Sequence, residues 1–203
     1  MSDNKPDQIL AEKSENPWVK LILWSNENKG SPTSRWNGFI KHLLELRLAD
    51  YERLAPTDEQ RQAFVEHWGI DRAELKRQER LHTDGREYVK QFFSDDPELK
   101  NIDLNIKICN ITFNQELNFT HAIFARSIRF NNCLFECGVD FGSTNLEKGA
   151  VFTGSEFLRP VNFEQAQFRG PLLFERVAFH NGVNFFSEHN DRAFFACFFK
   201  SKI

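Results

Sequence analysis

The residues best equipped for chemistry are few and scattered. Cys133 and Cys137 stand four positions apart and are the nearest approach to a metal-ligand pair, but no His accompanies them in sequence and a structural zinc needs four ligands. Cys133 also falls at a small apolar position of a repeat described below, where core packing accounts for it. His67 and His82 lie at helix ends or loops with Asp71 and Asp84 nearby. If the fold brought them together they would form an acid–base pair; otherwise they are solvated surface. Arg72, Lys76 and Arg80, with Arg77 beside them, form a basic row that could meet phosphates. Asp71, Glu74 and Glu79 are interleaved with it, which is the pattern of a solvent-facing charged helix. There is no Gly-rich phosphate loop, no zinc-spaced Cys/His set and no nucleophile elbow. The sequence therefore assigns no catalytic, cofactor-binding or metal residue. One other cluster stands out: Phe194, Phe195, Phe198 and Phe199, four Phe within six residues near the C-terminus.

Composition narrows the class of protein that must position these groups. The chain has 203 residues, 40% of them apolar and 27% charged, with a formal charge of -3; this is globular rather than disordered composition. No apolar run approaches the ~20 residues of a membrane span, and the polar start carries no apolar signal-peptide core. Four Cys in a chain of this length do not make a disulfide scaffold, so a reducing cytoplasm is the expected compartment.

The building rules change near Asp95-Asp96-Pro97. All four Trp precede residue 100 and 18 of the 22 Phe follow it. Residues 1–16 read as a disordered tail. Trp18–Trp24 is a short apolar segment compatible with strand or helix. Ser34 can cap a helix to about Leu54, with Phe39, Ile40, Leu43, Leu44, Leu48 and Tyr51 on one face. Thr57-Asp58-Glu59-Gln60 is a capping box that opens a helix ending near His67. Asp71–Leu81 and Asp84–Phe93 read as two further helices. Residues 17–95 are thus expected to form a small helical domain.

The second half repeats. Phe stands at 113, 119, 124, 130, 135, 141, 152, 157, 163, 168, 174, 179 and 185, with Leu146 filling the one gap, so the steps alternate six and five. The unit is 11 residues. Its first position is aliphatic and its third is Phe, its sixth is mostly small, its eighth is mostly Phe and its last is Gly, Pro or Ser. A right-handed helical coil also repeats at 11, but at about 100° per residue these apolar positions form no single stripe, and Gly or Pro at the unit ends would break the helix. Short strands fit. Positions 1 and 3 point inward together, positions 6 and 8 do so on the next segment, and the terminal Gly/Pro column turns the chain.

Leu117-Asn118-Phe119, Val139-Asp140-Phe141, Val161-Asn162-Phe163 and Val183-Asn184-Phe185 resemble pentapeptide-repeat units, and Ala122-Ile123-Phe124, Cys133-Leu134-Phe135 and Ala166-Gln167-Phe168 resemble the intervening faces. The resemblance covers roughly residues 105–190. It implies a mainly β protein, a right-handed quadrilateral β-helix over residues 96–190, preceded by the helical domain. The six-residue step on alternate faces departs from the family pattern and gives 22 residues per coil instead of 20; the central residue is nearly always Phe where the family often has Leu. Four inward columns follow: Phe119-Phe141-Phe163-Phe185, Phe130-Phe152-Phe174, Phe113-Phe135-Phe157-Phe179 and Phe124-Leu146-Phe168, with neighbours about 4.8 Å apart along the axis. Asn118, Asp140, Asn162 and Asn184 form an outward polar column, either a binding face or a ladder that bonds the coil edges.

Glu188 and Asn190 fall at inward positions, so the regular coil should stop near Asn190. Residues 191–203 then act as a cap within one chain or as the contact of a homodimer, and Phe194, Phe195, Phe198 and Phe199 are the candidate interface. The helical domain should dock on the N-terminal end, where an open sheet edge needs cover. The expected function is a non-catalytic protein-interaction or scaffold protein that needs no cofactor and serves a protein partner not named by the sequence. Two alternatives come from the resemblance: a nucleic-acid mimic that modulates topoisomerases, and a membrane-associated member acting through a membrane partner. The mimic needs a strongly negative rod, whereas residues 101–203 hold ten acidic and ten basic side chains; a nucleic-acid role is therefore not expected.

Overall fold

The computed structural model describes residues 7–27, 32–68, 102–103, 105–186 and 196–199. Their architecture is a parallel β-solenoid of about four turns with helices in the N-terminal region. Each coil lays one short strand on each of four faces. The first face holds Ile106–Cys109, Ile128–Asn131, Ala150–Thr153 and Leu172–Glu175. The second holds Ile111–Phe113, Leu134–Phe135, Glu156–Phe157 and Ala178–Phe179. The third holds Leu117–Asn118, Val139–Asp140, Val161–Asn162 and Val183–Asn184. The fourth holds Ile123–Phe124, Asn145–Leu146 and Gln167–Phe168. Pairing is parallel and in register at the 22-residue offset, as in Phe130↔Phe152↔Phe174 and Val139↔Val161↔Val183.

The four inward columns stack as the period predicts. Ring centroids lie 5.1, 4.9 and 5.2 Å apart along Phe119-Phe141-Phe163-Phe185. They lie 5.3 and 5.2 Å apart along Phe130-Phe152-Phe174, and 5.2, 4.4 and 5.1 Å apart along Phe113-Phe135-Phe157-Phe179. Each column meets its neighbours edge to face, as between Phe152 and Phe157, the arrangement the ring quadrupole favours. Small inward residues at the sixth position leave room for these rings. Two of them carry hydroxyls that are fully buried and satisfied: Thr144 Oγ1 donates to Phe119 O at 2.8 Å and Ser155 Oγ to Phe130 O at 3.1 Å.

Two kinds of corner turn the chain. A left-handed residue recurs every 11 positions at Asn110, His121, Asn132, Ser143, Gly154, Gln165 and Arg176, with φ between 51° and 63°. The other corner is the Gly/Pro/Ser column. At Gly149 (φ 78°) a Cβ would stand 2.1 Å from Pro171 O, so only glycine fits the approach of the next coil.

Helices α1 (Pro17–Asn26), α2 (Pro32–Glu52) and α3 (Asp58–Trp68) precede the solenoid. The Trp18–Trp24 segment is helical because Asn16 Oδ1 caps Trp18 N at 2.9 Å and Pro17 sits in the first turn. Helix α2 starts at Pro32, two residues before the expected Ser34. The capping box is present: Thr57 N donates to Gln60 Oε1 at 2.9 Å, and Gln60 N to Thr57 Oγ1 at 3.3 Å. The expected helices Asp71–Leu81 and Asp84–Phe93 lie outside the described residues.

The helices dock on the first coil. Trp18, Val19, Leu21, Ile22, Trp36, Phe39, Ile40, Leu43 and Leu44 belong to the same buried core as the stacked Phe columns, and Trp36 lies 4.9 Å from Phe124 and 6.0 Å from Phe119. Every face of the coil's open edge receives a backbone partner from the N-terminal region. Asn16 Nδ2 donates to Lys107 O on the first face. Asn26 Oδ1 accepts from Asn118 N on the third. On the fourth, Trp36 Nε1 donates to Ile123 O while Asn37 accepts from Ile123 N and donates to His121 O. The second face gains a whole strand, Ile9–Leu10, paired parallel with Ile111–Thr112.

Over residues 9–16 that strand and the turn after it correct the expectation of a disordered tail over residues 1–16; residues 1–6 lie outside the described residues. Residues 9–16 form the strand, a 3-10 turn at Ala11–Lys13 and the α1 cap. The physical reason is the unpaired N–H and C=O row of the first coil, which an isolated extended segment can satisfy.

Candidate interaction surface

The expected site residues separate by burial and by end. Cys133 is buried, donates to Ile108 O and Asn131 O at 3.5 Å, and has its thiol pushed up to about 12 by burial. A thiol held neutral in this way packs and does not attack. Cys137 Sγ donates to Asn114 O, and no group of three or more metal-ligating side chains exists among the described residues. His82, Asp71, Asp84 and the Arg72–Arg80 row lie outside the described residues, so the acid–base pair and the phosphate row stay as expectations of sequence.

The outward polar column is a ladder. Asn118, Asp140, Asn162 and Asn184 each accept, through Oδ1, the backbone N–H two residues on, at 2.7 to 3.0 Å. Asn162 Nδ2 donates to Asp140 Oδ1, and Asn184 Nδ2 to Asn162 Oδ1. Their hydrogen-bonding capacity is spent largely on holding the coils in register.

At the C-terminal end, Ala196–Phe199 forms a further strand on the first face, parallel to Leu172–Glu175, with Phe198 opposite Phe174. The offset here is 24 residues instead of 22. Two of the four candidate interface residues, Phe198 and Phe199, thus have backbones in the solenoid sheet; Phe194 and Phe195, with Glu188 and Asn190, lie outside the described residues. Phe168, Val183 and Phe185 at this end are only partly buried, and Phe186 is 57% exposed.

The outward surface also carries a charge pattern that net charge conceals. Residues 105–186 contain seven basic and seven acidic side chains. Five of the basic ones, Lys107, Arg126, Arg129, Lys148 and Arg169, lie on the first face, the fourth face or the corner between them. Four of the acidic ones, Glu116, Glu136, Asp140 and Glu156, lie on the second and third faces or their shared corner, and Glu164 follows Val161–Asn162 where the third face turns to the fourth. The signal is in the sequence: Lys107 and Arg129, and likewise Arg126 and Lys148, are 22 residues apart, one coil. Summing charge over the whole rod erases it.

No helix of the described residues is long and apolar enough to cross a membrane. Neither a curated protein nor a solved structure matches the chain. Residues 141–187 match the family model described as pentapeptide repeats, nine copies. The match falls within the parallel β-solenoid, whose coils over residues 141–187 are similar to pentapeptide repeats.

Proposed function

We propose that this chain is a non-catalytic protein-interaction scaffold working in the cytoplasm. One observation carries the reading: within the described coils, Cys133, Thr144, Ser155 and the Asn/Asp column are engaged in holding the rod together, while outward side chains stand on a fixed 22-residue grid. The Cys133 thiol and the Thr144 and Ser155 hydroxyls face inward and bond backbone carbonyls. The Asn/Asp column bonds the turns. A rigid surface of this kind loses little conformational entropy on docking a partner. The zero balance of acidic and basic groups in the described coils argues against a duplex-mimicking rod, which requires a dominant negative charge. Affinity capture by the full chain from its native cell, quantified against variants with reversed outward charges, tests the scaffold reading. Partners lost with outward substitutions support it; turnover of a small molecule by the purified chain would overturn it.

A homodimer through the C-terminal end is a second proposal, favoured by Phe186, a large apolar side chain exposed where the third face ends. Phe186→Asp should then lower the mass seen by light scattering. A wild-type monomer at high micromolar concentration would refute the dimer.

A further inference from the structure

We propose that the cationic edge between the first and fourth faces, continued by Val151 and Leu173, docks a protein segment that is acidic over one part and aliphatic over the next. This rests on the scaffold reading and names the partner's chemistry.

The placement comes from the pairing. Lys107 and Arg129 are direct partners on adjacent strands, and the same outward column continues as Val151 and Leu173. The column is therefore cationic over two coils and aliphatic over the next two, a length of roughly 15 Å at the inter-strand spacing. Arg126 and Lys148 stand on the adjoining corner, one coil apart. Lys107, Arg129 and Lys148 are exposed and make no ion pair among the described residues. Arg169 pairs with Glu147 at 3.3 Å. Val151 and Leu173 are half-buried, and the strands beneath them are fixed by the Phe130-Phe152-Phe174 stack.

Three unpaired cations on one edge, with most carboxylates on the far side, create a local positive potential on a neutral rod. Carboxylates answer the cations, and an aliphatic stretch answers Val151 and Leu173. A nucleic-acid backbone fits less well. The aliphatic half of the column, Val151 and Leu173, offers a phosphate chain nothing.

The test uses the full chain and fluorescence anisotropy. The probes are a labelled peptide of about ten residues, long enough to cover the column when extended, with Glu over one half and Leu/Val over the other; an all-Glu peptide of equal length; and a short DNA duplex. The block peptide should bind best and weaken as salt rises to roughly 0.2 M. Lys107→Glu with Arg129→Glu should weaken it about tenfold, because two attractive exposed pairs become repulsive; Lys107→Gln with Arg129→Gln should weaken it less and guards against misfolding of the reversal variant. Leu173→Ser should weaken the block peptide and leave the all-Glu peptide unchanged. Arg159→Glu, on the acidic side, should change nothing. No binding of the block peptide, indifference to the Lys107 and Arg129 substitutions, or tighter binding of the duplex would overturn the proposal. If cellular partners survive the charge reversal while the peptide result is negative, this edge fails and the scaffold reading stands.

Discussion

Phe152→Ala probes the stacked core at its centre. Phe152 is fully buried, with Phe130 below at 5.3 Å, Phe174 above at 5.2 Å, and Phe141, Phe157 and Phe163 edge-on at 5.7 to 6.4 Å. Burying a ring of this size is worth roughly 1.5–3 kcal/mol. Truncation should cost more, about 3–5 kcal/mol, because a cavity term adds to the lost transfer energy. The upper part of that range is expected here. The rings above and below belong to four-residue strands paired residue for residue with Ala150–Thr153, so they cannot close the gap without breaking register. With a urea slope of about 2 kcal/mol per molar, a loss of ~4 kcal/mol moves the unfolding midpoint by roughly 2 M. Far-UV circular dichroism follows the solenoid and Trp fluorescence follows the cap through Trp18 and Trp36. Phe152→Leu should cost under about 1.5 kcal/mol, since the fourth column already accepts Leu146 between Phe124 and Phe168. A loss below about 1 kcal/mol for Phe152→Ala, the size of an ordinary substitution, would refute the stacked core.

Asn37→Leu should destabilise by about 1–3 kcal/mol, since it strands Ile123 N–H and His121 C=O at the coil edge; amide exchange at Ile123 and at Ile128 should both accelerate, and an unchanged unfolding midpoint would contradict it. Gly149→Ala should cost well over 1 kcal/mol because its Cβ meets backbone at 2.1 Å and φ is positive, whereas Gly138→Ala, 3.7 Å from Pro160 O, should be nearly neutral; equal thermal shifts would contradict the corner geometry. Cys133 should resist alkylation in the folded chain at mildly alkaline pH while exposed Cys109 reacts. Its raised pKa means the folded state holds a proton that the unfolded state loses, so its contribution to stability is complete below pH 9 and falls as pH rises from 9.0 to about 12; a Cys133→Ser variant with the same alkaline slope would show that another group governs it.

The coil was legible because one side chain, Phe, marks the third and most of the eighth positions of the unit and the 11-residue period holds across the second half. The strand pairing at 22 residues follows directly from that spacing. The left-handed corner was not legible, since Asn110, His121, Ser143, Gln165 and Arg176 share a backbone conformation but no side-chain type. The N-terminal edge was legible only as a need for cover. Which residues meet it depends on Asn16, Asn26, Trp36 and Asn37 reaching carbonyls and amides about 85 to 92 positions away, and no local period reports that. The same holds for Ile9–Leu10, two residues in a polar stretch that become a strand because an unpaired edge lies beside them. For the surface, identity and period were both present, yet the two charge clusters emerge only once the corners assign each residue to a face.

If the scaffold is one capped body, the N-terminal helices and the coils must open together. Hydrogen–deuterium exchange on the full chain measures this directly. Amides of α2 from Trp36 to Leu44 should report the same opening free energy as those of Ile128, Phe130 and Phe152, and Asn37→Leu should lower both sets. Opening of residues 17–52 at a distinctly lower free energy, with the coils still protected, would contradict a shared core and leave the helices as a separate body resting on an uncapped rod.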